Sequence, residues 1–172
     1  GVIVGANAIL KEQFNLTPAE FGFATGSAVL GCIIGPFLGS FLADRIGRKK
    51  TMLLACVLLG ISALFTAITD TIFMYNIFRI VGGIGVGLCS MASPMYIAEI
   101  APREKRGQLG IMYQLAIVIG HTISPIVGAV LAANLADEVS WRWMFASEGV
   151  AILAFAGLVF FIPNSPRWLA SK

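Results

Sequence analysis

Four polar side chains set in apolar surroundings hold most of the chemistry this sequence offers: Arg79, Gln114, His121 and Glu148. Arg79 is the one basic residue assigned to a hydrocarbon span, where a guanidinium costs about 3 kcal/mol on insertion scales, so it has to face a partner or a wet cavity. It lies about seven residues, roughly 10 Å, below the outer end of its helix at 1.5 Å per residue. Glu148 lies at nearly the same depth on the last helix, so the two charges pair if those helices meet. A carboxylate beside a permanent cation titrates low and one buried away from it titrates high, so a moving helix makes such a group a proton-coupling device. The plainer reading is a structural ion pair, or an Arg79 that snorkels to the outer headgroups.

Gln114 and His121 are seven residues apart on one helix, which sets them on one face about 10 Å from each other, bracketing mid-span. An amide and an imidazole each donate and accept, a combination suited to a ligand rich in hydroxyls. The plainer reading makes Gln114 a satisfied structural amide. His121, next to Thr122 and Ser124, then bonds to backbone or to a neighbouring helix. The third polar group is an island in which Asp44, Arg45, Arg48, Lys49 and Lys50 crowd together between the uncharged stretches 21–43 and 51–69.

The elements that position these groups are membrane helices. At 58% hydrophobic and 12% charged, with a mean hydropathy of +0.87, the chain is far from the soluble mix, in which about a quarter of residues are charged. Spans are predicted over residues 18–43, 51–68, 72–97, 107–133 and 143–162, and residues 1–10, too short to cross, read as the outer end of a first helix. Thr17, Pro18 and Glu20 supply a cap, a first-turn proline and the acid of a capping box. Gly31, Gly35 and Gly39, then Gly83 and Gly87, strip helix faces for close backbone approach. The span 51–68 carries no charge and reads as a lipid-facing scaffold. Pro36, Pro94 and Pro125 fall inside spans and allow bends.

Loop charge orients the chain. Arg45, Arg48, Lys49, Lys50, Arg103, Lys105, Arg106, Arg167 and Lys172 fall on one side, and only Lys11 and Arg142 on the other, which places the first set in the cytoplasm. Trp141, Trp143 and Trp168 are expected as interfacial anchors. The net charge of +3 is accounted for by topology, so no nucleic-acid partner is expected. Cys32, Cys56 and Cys89 stand singly without metal spacing and read as small buried thiols. No cofactor or metal is implied. The spans hold no paired acids, GxSxG or HExxH, which argues against a membrane enzyme.

With loops and spans laid out, the motifs become specific. ADRIGRKK, RIVGGIGVG, PMYIAEIAPREKRG, YQLAIVIG, WRWMF and PNSPRWL resemble the sugar porter family of the major facilitator superfamily, especially its bacterial xylose–proton symporters. The resemblance implies an all-α membrane protein of the cell membrane, with residues 1–172 forming the N-terminal six-helix half of the fold. The first helix is then incomplete and a C-terminal half is the partner. It also implies monosaccharide transport by alternating access with a proton; a passive facilitator, a non-transporting sugar sensor and a carrier of another polyhydroxy or organic solute are the alternatives. By the same resemblance Gln114 contacts sugar, with His121 at a position where the xylose symporters carry a glutamine. Arg79 and Glu148 belong to a proton-linked group with a first-helix aspartate, expected just upstream of Gly1 as the main proton carrier. Asp44, Arg45, Arg48, Lys49, Glu99, Arg106 and Arg167 form a cytoplasmic gating network in which Arg45, Arg48 and Lys49 engage acids at the helix ends and Glu99 and Arg106 join the cluster. Asn164 stands where many members carry a glutamate, which predicts a neutral hydrogen bond in place of one ion pair.

Overall fold

The computed structural model describes residues 16–134, 137–165 and 168. Five helices follow one another: α1 (Pro18–Ile46), α2 (Arg48–Ile68), α3 (Ile72–Ile100), α4 (Arg106–Asn134) and α5 (Asp137–Phe161). They are the second to sixth of the six expected, and the first-helix remnant over 1–10 lies outside the described residues. α1, α2, α3 and the Arg106–Leu131 part of α4 are each long and apolar enough to cross a membrane, and α5 adds an apolar stretch over Ser147–Phe161.

The start of α1 follows its sequence closely. Thr17 accepts a hydrogen bond from the Glu20 amide at 3.4 Å, and the Glu20 carboxylate accepts one from the Thr17 amide at 3.0 Å, which closes the capping box. α1 and α3 run three residues beyond the expected ends, to Ile46 and Ile100, and α2 begins at Arg48 rather than at residue 51. Hydropathy marks where hydrocarbon ends, whereas backbone hydrogen bonding continues through residues with good helix propensity. Each helix that holds a proline, α1, α3 and α4, continues through it.

Glycine decides the packing around α3. A Cβ on Gly35 would lie 2.6 Å from the Cα of Gly87, and a Cβ on Gly87 would lie 2.7 Å from the Cα of Gly35. Gly31 and Gly83 meet in the same way, so the α1–α3 crossing is backbone on backbone. The opposite side of α3 uses Gly82 against Ser62 and Gly85 against Leu59 of α2.

α2 is therefore more than a lipid-facing scaffold. Thr51, Ala55, Ser62 and Thr66 are buried on one face, while Val57, Ile61, Leu64 and Phe65 stay exposed on the other. Its main neighbours are α3 and α5. Met52, Ala92, Tyr96 and Val159 tie these three helices together near the cytoplasmic end. α4 touches α3 and α5 only lightly, and among its described residues Gly128 alone is buried.

Candidate functional site

Two polar centres stand at different depths. At the cytoplasmic end, Arg48 donates to the Glu99 carboxylate at 2.8 Å with both side chains nearly buried, 12% and 8% exposed. Its guanidinium also reaches the carbonyl of Ala43 at 2.9 Å and Asp44 at 3.2 Å. The other Glu99 oxygen accepts from the Ser165 hydroxyl. Trp168 donates its indole N–H to the Asp44 carbonyl at 3.0 Å, and its ring lies 3.1 Å from where a Cβ on Gly47 would sit. Gly47 also has φ +93°, so conformation and space both require glycine there. Tyr96 donates to the carbonyl of Pro163 at 2.8 Å. The segment after α5 is thus pinned to the α1–α2 turn and to the end of α3.

The other predicted members of this network take different partners. Arg45 lies over the Phe41 ring, 4.2 Å from its centroid, a cation–π contact rather than an ion pair. Lys49 donates to the carbonyl of Phe160 at 2.8 Å, where a cation complements the C-terminal end of α5. Arg106 bonds to the carbonyl of Ala101 at 3.4 Å. Among the described contacts, Arg45 and Lys49, expected to engage acids, meet a ring and a helix-terminal carbonyl, and Arg106 meets a carbonyl as well. Arg167 lies outside the described residues. Asn164 is exposed, and its neighbour Ser165 makes the neutral bond to Glu99.

The second centre lies within the spans. Cys32 of α1, Tyr75 of α3 and Glu148 of α5 all feel the charge of Arg79, and Tyr75 feels Glu148 as well. Arg79 and Glu148 are half-buried, and Tyr75, one turn above Arg79, is fully buried. Glu148 also lines a groove between α4 and α5 of about 230 Å³ with Ser124 and Ser147. Gln114 and His121 are exposed on α4, and Thr122 bonds to the carbonyl of Val118 within its own helix.

This arrangement of helices matches known proteins over its whole length. The family described as Sugar (and other) transporter matches residues 9–172. The chain belongs to that family. Sugar transporter relatives include the D-xylose-proton symporter of Escherichia coli strain K12, 38% identical over all of this chain and 40% of its own length. The glucose transport protein of Synechocystis sp. is 39% identical over 99% of this chain and 38% of its own. Among solved structures, the xylose transporter XylE from E. coli in a partially occluded inward open conformation superposes with a TM-score of 0.93 at 38% identity, covering 99% of this chain and 47% of that one. The chain spans about 40% of the length of the curated relatives it matches. It has the all-helical major facilitator fold and is a multi-pass protein of the cell membrane, in a family of transporters rather than enzymes.

Sequence reasoning missed Tyr75, Ser165 and the role of Trp168. Trp168 is 8% exposed and holds the turn between α1 and α2, so it is no interfacial anchor. Tyr75 had a readable signal, since it stands four residues before Arg79 and so shares its helix face. Ser165 had none: it reaches Glu99 across sixty-six positions of sequence.

Proposed function

We propose that this chain is the N-terminal half of a secondary transporter that moves a monosaccharide by alternating access, coupled to a proton. Gln114 and His121 carry the reading. A polar side chain left uncovered in mid-span is costly against lipid, so these two belong to a wet cavity. In transporters built from repeats such a cavity lies at the midplane between the halves, and a C-terminal half would supply its other wall. An amide and an imidazole about 10 Å apart can each donate to and accept from sugar hydroxyls.

Proton coupling is assigned to Arg79 and Glu148, with Tyr75 between α3 and α5 as a neighbour. Their mutual attraction and the light packing of α4 support a group whose surroundings change as helices move. Arg48, Glu99 and Ser165 are assigned to the cytoplasmic gate, because they tie three segments with charge-assisted bonds that rocking would load. The xylose and glucose in the relatives' names make pentoses and hexoses the substrates to test first.

In the full-length transporter, Gln114→Ala is expected to weaken sugar binding by roughly five- to a hundredfold, the value of about 1–3 kcal/mol for a hydrogen bond lost in a desolvated site. Ile111→Ala, also on an exposed part of α4, is the control. Calorimetric titration with xylose and with glucose measures both variants. Affinities equal to that of the parent for Gln114→Ala would remove this residue from the site.

A further inference from the structure

We infer that the groove between α2 and α5 is a binding site for an anionic phospholipid of the cytoplasmic leaflet, seated with one acyl chain in the groove and its phosphate on Lys49 and Lys50. The groove encloses about 360 Å³ and is lined by Leu53, Val57, Gly60 and Leu64 of α2 and by Gly149 and Leu153 of α5, among other apolar residues. One glycine on each wall faces this open space: a Cβ built on Gly60 or on Gly149 meets no atom within 4 Å. At Gly35 and Gly87, by contrast, a Cβ would meet the neighbouring backbone.

The length and the charge at one end select the occupant. Leu53 to Leu64 spans about 16 Å at 1.5 Å per residue, close to the roughly 15 Å of a single leaflet in a hydrocarbon core about 30 Å thick. One helical turn toward the cytoplasm from Leu53, Lys49 bridges the two walls by donating to the carbonyl of Phe160. The Lys49 ammonium also lies 5.6 Å from the Phe160 ring centroid; with three donors it can still offer an N–H to a phosphate, and Lys50 beside it is exposed. Phe160 and Phe161 are exposed at the same level, where aromatic rings sit well among headgroups. An apolar slot one leaflet long with two lysines at its cytoplasmic mouth matches the chemistry of an anionic lipid, which basic pockets between helices on that side recognise. The inference is independent of the sugar-transport reading.

The test is native mass spectrometry of the protein released from nanodiscs made of phosphatidylglycerol and phosphatidylcholine in equal amounts. Phosphatidylglycerol is expected to be retained over phosphatidylcholine. Lys49→Gln with Lys50→Gln is expected to lower that preference by about twenty-fivefold, at about fivefold per lysine near an anionic surface. Gly149→Leu, and independently Gly60→Leu on the opposite wall, should displace both lipids while circular dichroism still reports the parent helix content. Retention of phosphatidylglycerol unchanged in a folded glycine variant, or no preference in the parent protein, overturns the inference. So does displacement of the lipid by glycerol 3-phosphate alone, which would make the site one for a free anion, and protection of the groove by a second protein segment in the full-length transporter.

Discussion

Arg48 holds two carboxylates in unlike surroundings. The Asp44 side chain is 69% exposed and that of Glu99 only 8%. An exposed i,i+4 pair contributes about 0–1 kcal/mol and is screened by salt. Removing one partner of a buried pair strands the other charge and costs about 3–5 kcal/mol. Glu99→Ala is therefore expected to lower the midpoint of thermal unfolding in detergent far more than Asp44→Asn does, and its effect should change little between low and high salt. Equal midpoints for the two variants would mean that water reaches the Arg48–Glu99 pair. The sequence made Arg48 and Glu99 visible as charges at span ends, because hydropathy isolates them. Their burial was not visible, because Ser165 reaches Glu99 from beyond α5, and no local pattern encodes that contact. The same limit applies to Lys49, which reads as a loop cation until Phe160 is placed against it.

At the scale of helices, spacing was the strongest signal. The four-residue repeat of Gly31, Gly35 and Gly39 and the pair Gly83 and Gly87 announced a close crossing, since glycines at that interval remove one whole face. The partner of each face came only with the structure, as did the inward side of α2, whose hydroxyls at Ser62 and Thr66 are too few to set a period. Gly35→Leu is expected to separate α1 from α3 and to cost several kcal/mol, because the new atoms would meet the backbone of Ile84 and Gly87 rather than a movable side chain. Gly26→Ala in the same helix meets nothing within 4 Å and is expected to be neutral or to stabilise by up to about 1 kcal/mol through helix propensity. Size-exclusion profiles and unfolding midpoints of the two variants check this pair. A monodisperse, fully stable Gly35→Leu would contradict the backbone-on-backbone crossing.

At the scale of the molecule, one face is sealed by glycine and the other is open. α1, α2, α3 and α5 form the packed part, and α4 leaves Gln114 and His121 uncovered. Arg79 of α3 and Glu148 of α5 are electrostatic neighbours, and Glu148 borders the α4–α5 groove. If this geometry couples sugar to protons, Arg79 is needed to set the affinity of nearby carboxylates for a proton, whereas it makes no direct claim on the sugar. Uptake of labelled sugar by cells carrying the full-length transporter, with and without an uncoupler, is the most direct measurement. The parent is expected to accumulate sugar above its external concentration and to lose that accumulation with the uncoupler. Arg79→Leu is expected to abolish accumulation while calorimetry in detergent still records sugar binding. A parent indifferent to the uncoupler, or an Arg79→Leu variant that still concentrates sugar, would contradict proton symport.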